Sequence, residues 1–260
     1  MRPNSVKQKL QAGGVSVGTM AFEFASTGIG RLAANAGAEF VIFDMEHTGW
    51  TIETIRMLMA TTRSADTVPM VRVPATQYHF LARVLDVGAM GVMVPMVESA
   101  DQARVIAESC KYPPVGRRGA GFGLAHDDYA FGDLIAKMRS CNEHVLLIAQ
   151  IETAAGLERV DEIAAVDGID VLWIGQFDLS NFLGIPGQFS HDTFSRAVDR
   201  VVAVCRRHGK TAGILALSVD EAKTRLAQGF RCLAYGGDLW LYQQALEQGV
   251  SQILASSRHE

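Results

Sequence analysis

Along this chain the hydrophobic positions gather into eight short runs, separated by stretches where they recur every three or four residues. The runs are Val15–Met20, Phe40–Met45, Pro69–Val73, Gly91–Val97, Val145–Ile151, Val171–Gly175, Ala212–Leu217 and Cys232–Gly236. Most are continuous rather than alternating, as expected for strands covered on both faces. The stretches between them carry helix signals. Ser99 with Gln102, and Ser218 with Glu221, have capping-box spacing. Asp192 is placed to cap a helix running to His208, with Phe194, Val198, Val201 and Cys205 on one face and Gly209 ending it.

One pattern recurs: a helix ends, a glycine follows, and a strand begins within about three residues. It is seen in NAGAEFVIFD, LDVGAMGVMV and AQGFRCLAYG, which puts Gly37, Gly88 and Gly229 in equivalent places. Alternating strands and helices predict an α/β fold with a parallel sheet. Eight such strands in 260 residues predict a single (β/α)₈ barrel spanning residues 1–260. Two segments stand outside the repeat. Lys111–Cys141 is a long interruption rich in glycine and charge, of the kind that forms lids or subunit contacts. Asp238–Leu254 has a helical apolar pattern (Leu239, Tyr242, Leu246, Val250, Ile253) suited to closing the barrel or docking on a neighbour.

Composition adds constraints. With 48% hydrophobic and 20% charged residues the chain can bury a large core. A net charge of −4 argues against a nucleic-acid partner. The N-terminal MRPNSVKQKLQAGG lacks the apolar core of a signal peptide, and no run is long enough to span a membrane. Cys110, Cys141, Cys205 and Cys232 have no CxxC spacing and read as thiols of a reducing compartment. A cytoplasmic protein is expected.

The chemistry should lie where parallel strands end. Val145–Ser180 reads as strand, helix, strand, so Glu152 and Asp178 emerge side by side at the mouth of the sheet. Two carboxylates so placed repel unless a cation or a shared proton lies between them. Hard oxygen ligands favour Mg²⁺ or Mn²⁺; the alternative is a pair of solvated loop acids. Gln150 shares parity with Glu152 and faces the same side. In FDMEHTGW, His47 lies beside Asp44 and Glu46, as a general base with acidic neighbours does. Arg72 sits in the apolar PMVRVP and needs an anionic partner, either a rim carboxylate or a substrate oxyanion. None of the six lysines falls at a strand C-terminus, which argues against imine chemistry. GxSxG, Walker A and post-strand GxGxxG motifs are missing too, so neither a serine nucleophile nor a nucleotide cofactor is expected.

Taken together, FDMEHTGW, PMVRVP, LDVGAMGVMVPMVE, RRGAGFG, AQIET and WIGQFDLSNFLGIPGQF resemble the HpcH/HpaI aldolases, the metal-dependent class II pyruvate aldolases that include 4-hydroxy-2-oxoheptanedioate aldolase. The resemblance runs in order along nearly the whole chain. It implies a barrel whose last helix is exchanged between subunits, assembled as a hexamer of three dimers. It also implies reversible cleavage of a 4-hydroxy-2-oxo acid to pyruvate and an aldehyde, with Mg²⁺, Mn²⁺ or Co²⁺ as cofactor. Glu152 and Asp178 match the metal ligands, His47 the acid/base, and Arg72 the residue that steadies the enolate oxygen. Asp86 matches an acid, supplied by a neighbouring subunit, that raises the basicity of the histidine; Asp44 is a second acid near it. Gln150 matches a substrate-binding side chain, and the backbone at Phe177–Asp178 the site for the substrate carboxylate. The family usually reads Gly-Pro-Ala-Asp-Leu-Ser where this chain has Gly175-Gln176-Phe177-Asp178-Leu179-Ser180, so Phe177 is expected to narrow the pocket. The loop after Arg118 departs as well, with Ala125-His126-Asp127-Asp128. A CoA-ester lyase of the citrate lyase β-subunit type is the nearest alternative, but it needs a basic groove that only Arg117–Arg118 suggests. Oxaloacetate decarboxylation, which would use the same enolate, is a second alternative, and a non-catalytic scaffold barrel, which needs none of these residues, is a third.

Overall fold

In the computed structural model, which describes residues 2–257, the eight strands close into a parallel barrel in sequence order. They are β1 (Ser16–Ala21), β2 (Phe40–Asp44), β3 (Val68–Arg72), β4 (Gly91–Val94), β5 (Leu146–Ile151), β6 (Val171–Ile174), β7 (Thr211–Ala216) and β8 (Cys232–Gly237). The sequence ran β4 on to Val97 and β2 to Met45. Both strands stop sooner, because the backbone turns into the rim loops although the side chains stay apolar. Met96, with φ of 55°, marks the turn after β4.

Most strands bury two apolar rows. Phe40, Ile42, Val68, Met70, Leu146, Ile148, Val171 and Trp173 fill the lumen with Cys232 and Ala234. The alternate residues Val41, Phe43, Val71, Leu147, Ala149, Leu172 and Ile174 pack outward against the helices. Continuous apolar runs are the result. Fully burying a side chain such as Phe40 contributes roughly 1.5–3 kcal/mol. Higher up, the lumen row turns polar: Phe40 and Ile42 lead to Asp44, Val68 and Met70 to Arg72, and Leu146 and Ile148 to Gln150 and Glu152.

The capping signals work with one adjustment. Ser99 and Ser218 accept the amides of Gln102 and Glu221, while Gln102 and Glu221 bond back to Glu98 N and Leu217 N, one residue before the cap. The helix Asp192–His208 ends at Gly209 as read, but its cap is His191 rather than Asp192. Gly37, Gly88 and Gly229 all have φ between 89° and 115°, which only glycine adopts without strain. The single helix expected between β5 and β6 is broken at Arg159 into Ala154–Glu158 and Val160–Ala164.

Two helices were not read from the sequence. A first helix, Ser5–Gln11, is capped by Asn4 and inserts Val6 and Leu10 under the barrel floor. The end of the long interruption is itself a helix, Leu134–His144, capped by Asp133. The last helix, Asp238–Ser256, buries none of its residues and leaves Tyr242, Leu246, Val250, Ile253 and Leu254 exposed, so it does not close the barrel of its own chain. The four cysteines are buried thiols. Among the described residues no helix is long and apolar enough to cross a membrane.

Candidate active site

The C-terminal ends of the strands surround a cavity of about 740 Å³, and six of the eight site residues read from the sequence line it: His47, Arg72, Gln150, Glu152, Phe177 and Asp178. A seventh, Asp44, is wholly buried behind Arg72. Strand register explains the pairing, because Asp44 of β2 stands opposite Arg72 of β3. Arg72 Nε donates to Asp44 Oδ1 at 2.6 Å, and Arg72 Nη1 lies 3.2 Å from Glu46 Oε2. Burial acts to lower the Arg72 pKa, but the Asp44 bond and the charges of Asp44, Glu46 and Glu152 outweigh it and hold the group cationic. Asp44 also accepts the amides of Glu46 and His47 at 3.1 and 2.9 Å, so one carboxylate fixes both the guanidinium and the turn that carries the histidine. His47 itself is exposed, with Nε2 3.6 Å from Glu46 Oε2.

Glu152 is 1% exposed. Its Oε1 accepts Met96 N–H at 2.7 Å and its Oε2 accepts the Gln150 amide at 2.5 Å. Gly175 makes room for it: a Cβ there would stand 2.4 Å from Glu152 Oε2. Asp178, in the first turn of the helix Gln176–Phe182, is half-buried at the same cavity. Burial pushes both Glu152 and Glu46 up to about 7, and each is raised further by the other acids of the site, Asp178 among them. Glu46 Oε2 and Gln150 Oε1 are buried without a hydrogen bond.

These are the marks of a carboxylate cluster short of positive charge, and they fit a divalent cation. Among the described residues no three His, Cys, Asp or Glu side chains converge closely enough to hold a metal by themselves. Two carboxylates with the remaining positions left to water or substrate is the usual Mg²⁺ arrangement. Glu152 and Asp178 therefore suit an open site rather than a closed structural one.

Asp86 is the residue that this chain does not bring to the cavity. It ends the helix Tyr78–Asp86 that returns from β3, which places it at the opposite end of the barrel, where Arg118 Nη2 bonds it at 2.5 Å. Arg117 lies beside Glu108 at 4.0 Å, so neither arginine of the proposed CoA groove faces the mouth. Asp238, at the end of β8, proves to be a clamp: it accepts the amides of Phe22, Glu23 and Phe24 at 2.7–3.0 Å. It thereby sets an aromatic wall in which Phe22 and Trp240 lie 5.1 Å apart and Phe22 also faces Arg72. Phe177 is half-exposed and packs edge-on to Phe189. The sequence read Glu46 only as an acidic neighbour of His47; its closeness to Arg72 as well depends on the turn that Asp44 holds, which strand parity alone does not reveal.

A family model described as HpcH/HpaI aldolase/citrate lyase matches residues 25–245. A 2-keto-3-deoxy-L-rhamnonate aldolase of Shigella sonnei is 34% identical over 248 residues, covering 95% of this chain and 92% of that protein. The crystal structure of an HpcH/HpaI aldolase from Desulfitobacterium hafniense superposes with a TM-score of 0.91 at 33% identity, covering 95% of each chain. A citrate synthase has the same architecture, with a TM-score of 0.82 at 29% identity over 97% of each chain.

The raised carboxylates predict a pH dependence in metal-free protein. Glu46 and Glu152 keep protons that the unfolded chain has already released, so native stability falls as pH rises from about 4.5 to about 7. Thermal unfolding in EDTA should show the midpoint dropping across that window, and dropping less in Glu152→Gln. A flat or rising wild-type midpoint would contradict the reading.

Proposed function

This chain belongs to the HpcH/HpaI aldolase/citrate lyase family and is a carbon–carbon lyase, an aldolase that reversibly cleaves a 4-hydroxy-2-oxo acid to pyruvate and an aldehyde; we propose that Glu152 and Asp178 hold its divalent cation while His47 and Arg72 move the proton and the charge. The observation that carries this reading is the meeting, in one cavity at the strand ends, of buried Glu152, half-buried Asp178 and Arg72, which Asp44 locks in place.

The cation supplies Lewis acidity toward the carbonyl of the 2-oxo acid. The side chains do the rest. Met96 N–H and the Gln150 amide fix Glu152 so that it turns its charge to the cavity. Gln150 and the peptide at Phe177–Asp178 receive the substrate carboxylate. His47 takes the proton of the 4-hydroxyl; the C3–C4 bond breaks, its electrons form the pyruvate enolate, and C4 leaves as the aldehyde carbonyl. Arg72, held at Nε by Asp44, faces the enolate oxygen with its remaining N–H groups. Protonation at C3 gives pyruvate. The partner subunit's Asp86 supports His47, which requires the assembly that the exposed last helix suits: dimers that exchange this helix, three to a hexamer.

The aldehyde end meets Phe22, Trp50, Phe177 and Trp240. That wall favours a 2-keto-3-deoxy sugar acid ending in an apolar group, in keeping with the name of the Shigella sonnei relative. Mg²⁺, Mn²⁺ and Co²⁺ all suit oxygen ligands in an open site.

Pyruvate release from a panel of 4-hydroxy-2-oxo acids, in EDTA and after adding back each of these metals, tests the reaction. Activity should require the metal, and Arg72→Ala should lower kcat by about 10²–10³-fold. Release undiminished by EDTA, or near-normal turnover in Arg72→Ala, would contradict the assignment. Light scattering of a Leu246→Asp, Val250→Asp double variant tests the assembly: mass should fall and aldolase rate with it. An unchanged mass would remove the helix exchange.

A further inference from the structure

The barrel has a second cleft of about 750 Å³ at its other end, about as large as the active site. It opens between the first helix and the N-terminal ends of β5 to β8, and shares no lining residue with the active-site cavity. Its walls carry five cations, Lys7, Lys111, Arg206, Lys210 and Arg231, against two carboxylates, Glu143 and Asp170. Such an excess is notable in a chain whose net charge is −4.

Four of the five have protein partners. Lys7 pairs with Asp170 at 3.0 Å and donates to Val145 O at 2.7 Å. Lys210 donates to the carbonyls of Val166 and Ile169 at 3.1 and 2.9 Å. Arg206 reaches Gln228 O, and Arg231 reaches Leu226 O and Phe230 O, through one nitrogen each. Capping helix C-terminal carbonyls explains these contacts, but it leaves most of each guanidinium without a protein acceptor. Lys111 is different: among the described residues its ammonium has no hydrogen-bond acceptor. It is half-buried over Gly168, where a Cβ would stand 3.1 Å from Lys111 Nζ. Burial and the charges of Lys7 and Lys210 lower its pKa, with Asp170 opposing them. Three neighbouring ammoniums therefore share the nearby charge of Asp170, which is already paired with Lys7, and a further anion would complete the group.

We propose that this cleft binds a small phosphate ester, with the phosphate between Lys111, Lys210 and Lys7 and the organic part extending toward Arg206 and Arg231. Lysine ammoniums suit phosphate as point charges, and arginine forks suit its oxygens. The cleft is far larger than a phosphate group alone, which favours the ester over the free ion. Since the site lies at the opposite end of the barrel from the mouth, it is separate from substrate binding.

Isothermal titration of metal-free protein at constant ionic strength tests this, using glycerol 2-phosphate and inorganic phosphate as probes. Saturable binding of the ester is expected, weakened roughly tenfold or more by Lys111→Gln with Lys210→Gln, since charge-assisted bonds are lost. Arg72→Ala should leave it unchanged. Normal aldolase activity in the lysine variant establishes that it is folded. The proposal fails if no saturable heat appears at millimolar ester, if the lysine variant binds as well as wild type, or if Arg72→Ala abolishes binding and so puts the anion at the mouth. Free phosphate binding as tightly as the ester would overturn the ester assignment.

Discussion

The whole arrangement depends on one geometric constraint, the two-residue period of a strand in a closed barrel. Every second residue of each strand points into the lumen, so the lumen's chemistry is written in alternate positions. Low in the barrel those positions are Phe40, Val68, Leu146 and Val171, which exclude water. At the top they are Asp44, Arg72, Gln150 and Glu152, each within a few per cent of full burial. Charges raised on an apolar column have little solvent to stabilise them, and they must find one another or a ligand.

They do both. Asp44 and Arg72 pair across adjacent strands, and removing one member of such a buried pair typically costs about 3–5 kcal/mol. Glu46 and Glu152 are only partly compensated, and burial pushes both up to about 7. The same desolvation that makes the cluster unfavourable would make it a strong receptor for a cation and, in the proposed reaction, would strengthen Arg72 as a partner for a developing enolate. The stability of the barrel and the reactivity of its mouth thus have a common origin. The floor is built on a different principle, with loops and helix ends rather than strand parity supplying its lysines.

Much of this was legible in the sequence because strand ends are local features. Eight apolar runs marked the strands, and the acid closing AQIET and the aspartate after WIGQF fell where a parallel sheet must put them. Arg72 stood out as a charge inside an apolar run. What escaped depends on long-range contact. The helix Ser5–Gln11 offered only two apolar residues, Val6 and Leu10, too few to mark a periodic face. Arg159 interrupts a helix whose apolar spacing continues through the break. Asp86 was identified by family resemblance, but its place at the far end of the barrel, bonded to Arg118, follows from the direction of its helix. The charged floor joins Lys7 with Asp170 across 163 positions of sequence, a separation no spacing rule spans.

The central claim is that Glu152 and Asp178 form an open cation site completed by the 2-oxo acid. Electron paramagnetic resonance of Mn²⁺, titrated into metal-free protein with and without pyruvate, tests it most directly. One saturable Mn²⁺ per chain is expected, tightened and spectrally altered by pyruvate, and lost in both Glu152→Gln and Asp178→Asn. Saturable binding that survives both substitutions, or that pyruvate leaves untouched, would contradict it.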